Sequence, residues 1–132
     1  MDRLFLDANV LFSAAWRPEA GVQRLWRVSG VVLLSSSFTV EEAARNLEEP
    51  AQHQRLGGFL ERVQVVGTRN VAPHLRRGIV LPDKDWPVLG GALAAEATHL
   101  ITGDARHFGR YFSREVLGVL VLTPAMYLGG KG

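Results

Sequence analysis

The sequence predicts an α/β fold in three layers, with a central, mostly parallel sheet of about five strands and helices on both faces. Two observations lead to this fold class. Short apolar runs alternate with segments of helical periodicity along the chain, which is the pattern of strand–helix–strand units. The run 31–34 is apolar at every position, as expected for a strand buried on both faces of a parallel sheet. The 132 residues predict one domain, 1–132.

The composition is that of an ordinary globular protein, with 47% hydrophobic and 21% charged residues. The formal charge of +2 permits binding to nucleic acid without requiring it. There is no cysteine, so any metal must be bound by oxygen or imidazole. No run of 18 apolar residues occurs, and Asp2 and Asp7 interrupt the first apolar segment. We therefore expect a cytoplasmic protein with no membrane association.

Strands and helices alternate in the first half of the chain. Residues 3–6 form a short apolar strand that ends at Asp7, and 9–15 show helical periodicity. The pattern Thr39-x-x-Glu42 predicts a capping box at the start of a later helix. The remaining predicted elements are a helix over 20–28, a strand over 31–34, helices over 40–49 and 52–63, and a strand over 64–66.

The second half is organised around the stretch 82–104. Asp85 is predicted to cap a buried helix that has Pro87 in its first turn, and the small residues along that helix allow its backbone to lie close to the sheet. A short β-prone run, 99–102, is followed by Asp104. The flanking segments are a loop with one helical turn over 68–81, a short Arg-rich segment over 105–114, a strand over 118–122 and a C-terminal turn over 124–128.

Four acidic residues are predicted to meet at one edge of this sheet. Asp7 and Asp104 each follow a strand, and ligands of parallel α/β sheets bind at the carboxyl ends of the strands. Glu42 and Asp85 lie on helices that lead to the same edge. Four clustered carboxylates remain ionised together only if a cation offsets their repulsion, and oxygen ligands suit Mg²⁺ or Mn²⁺. The implied chemistry is hydrolysis of nucleic-acid phosphodiester bonds.

Four short motifs of the chain contain these acids. LDANVL, from Leu6, resembles the N-terminal motif of the PIN-domain ribonucleases. EAARNL from Glu42, DKDWPVL from Asp83 and TGD from Thr102 are similar to the second, third and fourth motifs, in the same order and spacing. The resemblance spans nearly the whole chain and is closest to the toxin components of bacterial and archaeal toxin–antitoxin pairs.

This resemblance implies a Mg²⁺- or Mn²⁺-dependent endoribonuclease that is often a homodimer and is commonly inhibited by a cognate antitoxin. It assigns metal binding to Asp7, Glu42, Asp85 and Asp104, with Asp83 as an auxiliary acid. Two features depart from the family pattern. Ala8 replaces the threonine that many members have beside the first aspartate, and the chain is shorter than many relatives over 66–82.

Alternative roles are open for several of these residues. Asn9 either hydrogen-bonds the Asp7 carboxylate or caps the following helix, and Glu41 competes with Glu42 as the ligand. For Asp85 and Asp104, helix capping is the alternative to the metal-binding role. Other side chains are either contacts to RNA phosphates or solvated surface groups: Arg76, Arg77, Arg106 and His107.

Two other classes of protein are consistent with parts of this pattern. A catalytically inactive PIN-fold module that binds RNA or a protein would keep the acids for structural reasons alone. A phospho-acceptor or phosphatase domain also has an aspartate after its first strand. Asn9 stands where the phosphatases have their second aspartate, which disfavours this last class.

Overall fold

The computed structural model describes residues 1–129 and confirms the three-layer α/β fold, with a six-stranded sheet of order β3-β2-β1-β4-β6-β5. Five strands run parallel, and β5 pairs antiparallel with β6. The strands are β1 (Asp2–Leu6), β2 (Val31–Ser36), β3 (Gln64–Val66), β4 (His99–Ile101), β5 (Arg114–Val116) and β6 (Val119–Leu122).

Strand β5 was not predicted, because the sequence signal for its hairpin is absent. Val116 pairs with Val119, so the loop between β5 and β6 consists of Leu117 and Gly118 alone. Both residues have positive φ, at 51° and 87°. Tight hairpin turns of this kind usually carry Asn or Asp before the glycine. A leucine at position 117 does not indicate such a turn. No strand was therefore predicted between the segment 105–114 and the strand over 118–122.

Helices cover both faces of the sheet. They are α1 (Ala8–Trp16), α2 (Ser37–Asn46), α3 (Pro50–Leu60), α4 (Trp86–Ala94), α5 (Ala105–Phe108) and α6 (Pro124–Gly129). Leu4 and Leu6 of β1 join the core beneath α1, α2, α3 and α6, whereas Phe5 joins the core beneath α4 and α5. This alternation of side chains along a central strand is what gives the fold its three layers.

The capping box of α2 lies three residues earlier than predicted. Ser36 is the N-cap, and its hydroxyl accepts from the Thr39 N–H at 3.3 Å while the Thr39 hydroxyl accepts from the Ser36 N–H at 3.0 Å. The predicted pair of Thr39 with Glu42 was therefore wrong, and α2 begins at Ser37 rather than at residue 40. Glu42 lies in the second turn of α2 and has no part in the cap.

Other boundaries differ by smaller amounts. The segment predicted as a helix over 20–28 is a 3₁₀ helix, Gly21–Arg27, because helical periods of 3.0 and 3.6 residues diverge little over two turns. The predicted single turn within 68–81 is a 3₁₀ turn, Pro73–Leu75, and a second one, Asp83–Asp85, precedes α4. The predicted C-terminal turn is helix α6. Within residues 1–129, no helix combines the length and the apolar character needed to cross a membrane.

Two glycines set the position of α4, as the small residues of the sequence predicted. A side chain at Gly91 would come within 2.8 Å of the Phe5 ring, and one at Gly90 would collide with the carbonyl oxygen of Arg69. Helix α4 therefore lies in direct contact with β1 on one side and with the loop before it on the other. This close packing brings Asp85, at the start of α4, towards the carboxyl end of β1.

Candidate functional site

The candidate site lies at the point where the strand order of the sheet reverses, between β1 and β4. From β1 the order continues on one side to β2 and β3 and on the other side to β4 and β6. Adjacent parallel strands whose connections leave in opposite directions create a crevice beyond their carboxyl ends. Asp7 follows β1, and its backbone N–H donates to the Ile101 carbonyl of β4 at 3.0 Å. This hydrogen bond ties the two strand ends together at the floor of a cleft.

The cleft brings together the four acids that the sequence predicted to converge. Its volume is about 410 Å³, which is the size of small-ligand sites. Glu42 lines the cleft and its neighbour Glu41 is exposed, so Glu42 is the acid of this pair that faces the site. Asp83 is exposed in the 3₁₀ turn, outside the lining. The cleft is lined by Asp7, Ala8, Asn9, Phe12, Glu42, Ala43, Asn46, Lys84, Asp85 and Asp104.

Asp7 is buried, with 4% exposure, and its carboxylate is surrounded by donors. The Ala8 N–H donates to Oδ1 at 2.7 Å. The hydroxyl of Thr102 donates to Oδ2 at 2.9 Å, and the side-chain amide of Asn9 donates to Oδ2 at 3.1 Å. Asn9 also accepts from the Gly103 N–H at 2.7 Å, so it bridges β1 and β4 instead of capping α1. These contacts fix the orientation of the Asp7 carboxylate.

Burial raises the pKa of Asp7 from 3.8 to about 6. The hydrogen bonds from Thr102 and Ala8 stabilise the ionised form and partly offset this rise, whereas the nearby charges of Asp85 and Glu42 add to it. A carboxyl group with this pKa sits in an environment that favours neutralisation. A bound cation would provide that neutralisation while leaving the carboxylate ionised.

Asp85 occupies the N-cap position of α4 but does not cap it, so the predicted capping role was wrong. Its backbone is in the right-handed helical region, and no hydrogen bond joins its side chain to the helix. The side chain is 8% exposed, and Oδ2 has no hydrogen-bond partner within residues 1–129. Burial raises its pKa, with a further rise from Asp104 and Glu42 and opposing effects of His107 and Lys84.

His107 lies between two of the acids. Its backbone N–H donates to Asp104 Oδ1 at 3.1 Å, so Asp104 caps α5, which was one of its two predicted roles. The ring atom Nδ1 lies 2.8 Å from Asp85 Oδ2 and 3.0 Å from Asp104 Oδ2. Both distances are short enough for ion pairs, yet neither contact has hydrogen-bond geometry, and Nδ1 has no hydrogen-bond partner in the described chain.

These residues fit a divalent cation. One atom each from Asp85, Asp104 and His107 lies within 4.8 Å of the others. The donor set is carboxylate oxygen, which suits Mg²⁺ and Mn²⁺, and imidazole nitrogen, which suits divalent transition metals. A buried carboxylate oxygen without a partner is costly unless some positive group compensates it. The sequence did not indicate the proximity of His107 to Asp85, because the two residues belong to elements that meet only in the folded chain.

The predicted basic contacts lie outside the cleft lining. Arg76 is half-buried over the Trp86 ring, at 4.7 Å, and donates to the Val71 carbonyl at 2.8 Å. It therefore fixes the loop before α4. Arg77 and Arg106 are exposed, and their roles as phosphate contacts stay predictions.

Five residues of the cleft lining were not predicted as site residues: Ala8, Phe12, Ala43, Asn46 and Lys84. Lys84 lies between the two aspartates of the third motif, and Phe12 is one helical turn after Ala8. Asn46 is four residues after Glu42 on α2, and its amide donates to the Glu42 carbonyl at 2.9 Å. The i, i+4 spacing from Glu42 was the available signal for Asn46, since such residues share a helix face.

No protein-family model matches this chain, and no curated protein matches its sequence. Solved structures do match. A chain of VapBC2 from Rickettsia felis has a TM-score of 0.65 and 14% identity over 92% of this chain and 98% of that chain. That structure was crystallised with a DNA fragment from the promoter of the VapBC2 proteins. A chain of VapBC-1 from nontypeable Haemophilus influenzae has a TM-score of 0.56 and 16% identity over 93% and 98%.

The architecture is thus the PIN-like fold of these structures, as the motif resemblance implied. At these identities the similarity establishes the fold, and the activity has to be argued from the site itself.

Proposed function

We propose that this protein is a divalent-metal-dependent endoribonuclease and the toxin of a toxin–antitoxin pair. The observation that carries the proposal is the convergence of four acids in one cleft, at the point where the strand order reverses. These acids are Asp7, Glu42, Asp85 and Asp104. The unpartnered oxygen of Asp85 supports a cation at this place. The fold shared with the two VapBC structures supports the class of nuclease.

The four acids would hold Mg²⁺ or Mn²⁺, with Asp83 as an outer acid at the rim. When bound, such an ion activates water and stabilises the charge on the leaving oxygen of a phosphodiester. The protein contributes the orientation of the ligands, since Asn9 and Thr102 hold the Asp7 carboxylate in one position. Lys84 is the cationic side chain of the cleft lining and is suited to contact a phosphate oxygen.

The matching structures are toxin–antitoxin complexes, and this supports a cognate antitoxin as the protein partner. The chain is proposed to act in the cytoplasm, where RNA is accessible to it. A homodimer is the expected form, and sedimentation of the purified chain measures it.

Cleavage of a panel of structured and single-stranded RNAs with Mg²⁺, Mn²⁺ or EDTA tests the activity. We expect cleavage that requires the metal and falls at least about tenfold in Asp85→Asn, because loss of a metal ligand costs no less than loss of a group that only hydrogen-bonds a ligand. Glu42→Gln and Glu41→Gln form a matched pair of neighbours, of which only the first faces the cleft. The Glu42 variant should lose activity and the Glu41 variant should keep it.

Cleavage in EDTA, or full activity of Asp85→Asn, would contradict the proposal. Binding of RNA with neither divalent-ion binding nor cleavage would instead favour the inactive PIN-fold module. An antitoxin encoded beside the gene should abolish cleavage when it is added at equimolar amounts.

A further inference from the structure

We propose that His107 is a nitrogen ligand of the divalent cation, alongside Asp85 and Asp104, so that the metal centre is a mixed oxygen–nitrogen site rather than an all-carboxylate one. The inference deepens the proposed function and depends on it, since it concerns the same cation. It also assigns His107 a role different from the phosphate contact that the sequence predicted.

The distances around Nδ1 of His107 are those of neighbouring ligands on one ion. Nδ1 lies 2.8 Å from Asp85 Oδ2 and 3.0 Å from Asp104 Oδ2. Ligands at adjacent corners of an octahedron with bonds of about 2.1 Å are separated by about 3.0 Å. A hydrogen bond between imidazole and carboxylate has a similar length, but it also requires alignment, and neither contact has it. The three atoms converge, and Nδ1 makes no hydrogen bond to either carboxylate.

Burial gives a second, independent reason to place a cation here. The Asp85 side chain is more than nine-tenths buried, and Oδ2 is shielded from solvent without a hydrogen-bond partner in the described chain. An ionised oxygen in this position loses hydration and gains no hydrogen bond from the described residues in return. A cation that contacts Asp85 Oδ2 and His107 Nδ1 together would satisfy both of these buried atoms.

The local structure holds the His107 ring beside Asp85 and Asp104. Asp104 caps α5 through the His107 N–H, which leaves Asp104 Oδ2 on the same side as the ring. The next residue, Phe108, is 1% exposed and anchors the short helix in the core. Because one residue of this helix is fixed in the core and its start is capped, the neighbouring ring has little freedom to turn away.

A nitrogen ligand changes which metal the site prefers. Mg²⁺ favours an all-oxygen set, whereas Mn²⁺, a transition metal, accepts a nitrogen ligand beside carboxylates more readily, and the later divalent transition metals favour imidazole. We therefore expect the site to bind Mn²⁺ more tightly than Mg²⁺, and the difference to depend on His107.

The test is titration of the metal-free full-length chain with Mn²⁺, followed by pulsed electron paramagnetic resonance of the bound ion. The wild type should show coupling to an imidazole ¹⁴N nucleus, and His107→Gln should bind Mn²⁺ without it. Affinity for Mn²⁺ should fall by about tenfold or more, the least expected from losing a first ligand, and affinity for Mg²⁺ should fall less. His74→Gln, which alters an exposed histidine outside the cleft, is the matched control and should behave as the wild type.

Bound Mn²⁺ with no nitrogen coupling in the wild type would overturn the role of His107. Coupling that persists in His107→Gln would overturn it equally, and His107→Asn serves as a second variant if the first is poorly folded. RNA cleavage that needs metal but occurs without nitrogen coupling would remove this inference and keep the proposed function. Absence of any Mn²⁺ or Mg²⁺ binding would remove both.

Discussion

Asp7 and Asp85 are two carboxylates of one cleft with nearly the same burial, 4% and 6% exposure, and opposite surroundings. Asp7 accepts hydrogen bonds from one backbone N–H and two side chains. Asp85 Oδ2 accepts none from residues 1–129. Donors from the protein orient a carboxylate and stabilise its charge. The comparison teaches that Asp7 is held in place by hydrogen bonds within the fold, whereas Asp85 Oδ2 faces the His107 ring without a hydrogen bond and is open to a cation.

The cause of this difference is local. Asp7 precedes α1 in an extended conformation, so its side chain accepts from the N–H of Ala8, the first residue of the helix. Asp85 leaves a 3₁₀ turn in a helical conformation, and Pro87 in the first turn of α4 has no N–H to donate. A capping residue normally uses the N–H of the second or third helical position. At α4 one of these donors is missing, and the Asp85 side chain turns to the cleft instead.

The largest expected effect is on the pH dependence of stability without metal. The pKa of Asp7 is about 6 in the folded chain and 3.8 in the unfolded one, so the folded state binds the extra proton between these values. The contribution to stability is full below pH 3.8 and is lost as pH rises through 6, with a change on the order of 3 kcal/mol. The raised pKa of Asp85 acts in the same direction.

Urea unfolding in EDTA from pH 4 to 7 measures this slope. Asp7→Asn should flatten most of it, because the buried group can no longer ionise. Saturating Mn²⁺ should restore stability at pH 7, by about 2.7 kcal/mol at a hundredfold excess over Kd. Equal slopes for the wild type and Asp7→Asn would show that Asp7 does not titrate as its burial requires.

Two substitutions, one at each carboxylate site, should change the free energy of unfolding by smaller amounts and in opposite directions. Thr102→Val removes the hydroxyl that donates to Asp7 and accepts from the Asp104 N–H, and it should lower the free energy of unfolding by about 1–2 kcal/mol. Asp85→Asn removes a buried charge that no protein hydrogen bond stabilises, and it should raise that free energy by up to about 1 kcal/mol in EDTA at pH 7. Thermal unfolding of both variants gives the comparison. Destabilisation by Asp85→Asn would mean that the folded chain already compensates this carboxylate.

The smallest expected effect is that of Asn9→Ala. This change removes the donor to Asp7 and the acceptor for the Gly103 N–H. Gly103 is exposed, so water can replace its lost partner, and the cost should be about 0.5–1 kcal/mol. Thermal unfolding beside Thr102→Val measures the difference. A larger loss for Asn9→Ala than for Thr102→Val would show that the link between β1 and β4 matters more than the support of Asp7.

The sequence predicted the sheet and the meeting of the acids because both follow from short-range patterns. An apolar run followed by an acid placed Asp7 and Asp104 at strand ends, and the order of elements placed those ends together. Ambiguity of residue type caused the error at α2, since Ser36 and Thr39 are both good caps and periodicity does not choose between them. The contact of His107 with Asp85 depends on the packing of α4 and α5 across β4, which no spacing in the chain encodes.

The central place of β1 in the sheet also has a consequence for synthesis of the chain. β1 is made first, yet its partner β4 begins only at His99, so the floor of the cleft closes through a contact of long sequence separation. Such closure is entropically costly and forms late in folding. A nascent chain that ends before His99 has Asp7 and Asp85 but no strand to bring Asp104 beside them. On the proposed function, the cleavage site is therefore incomplete until β4 and Asp104 have been synthesised.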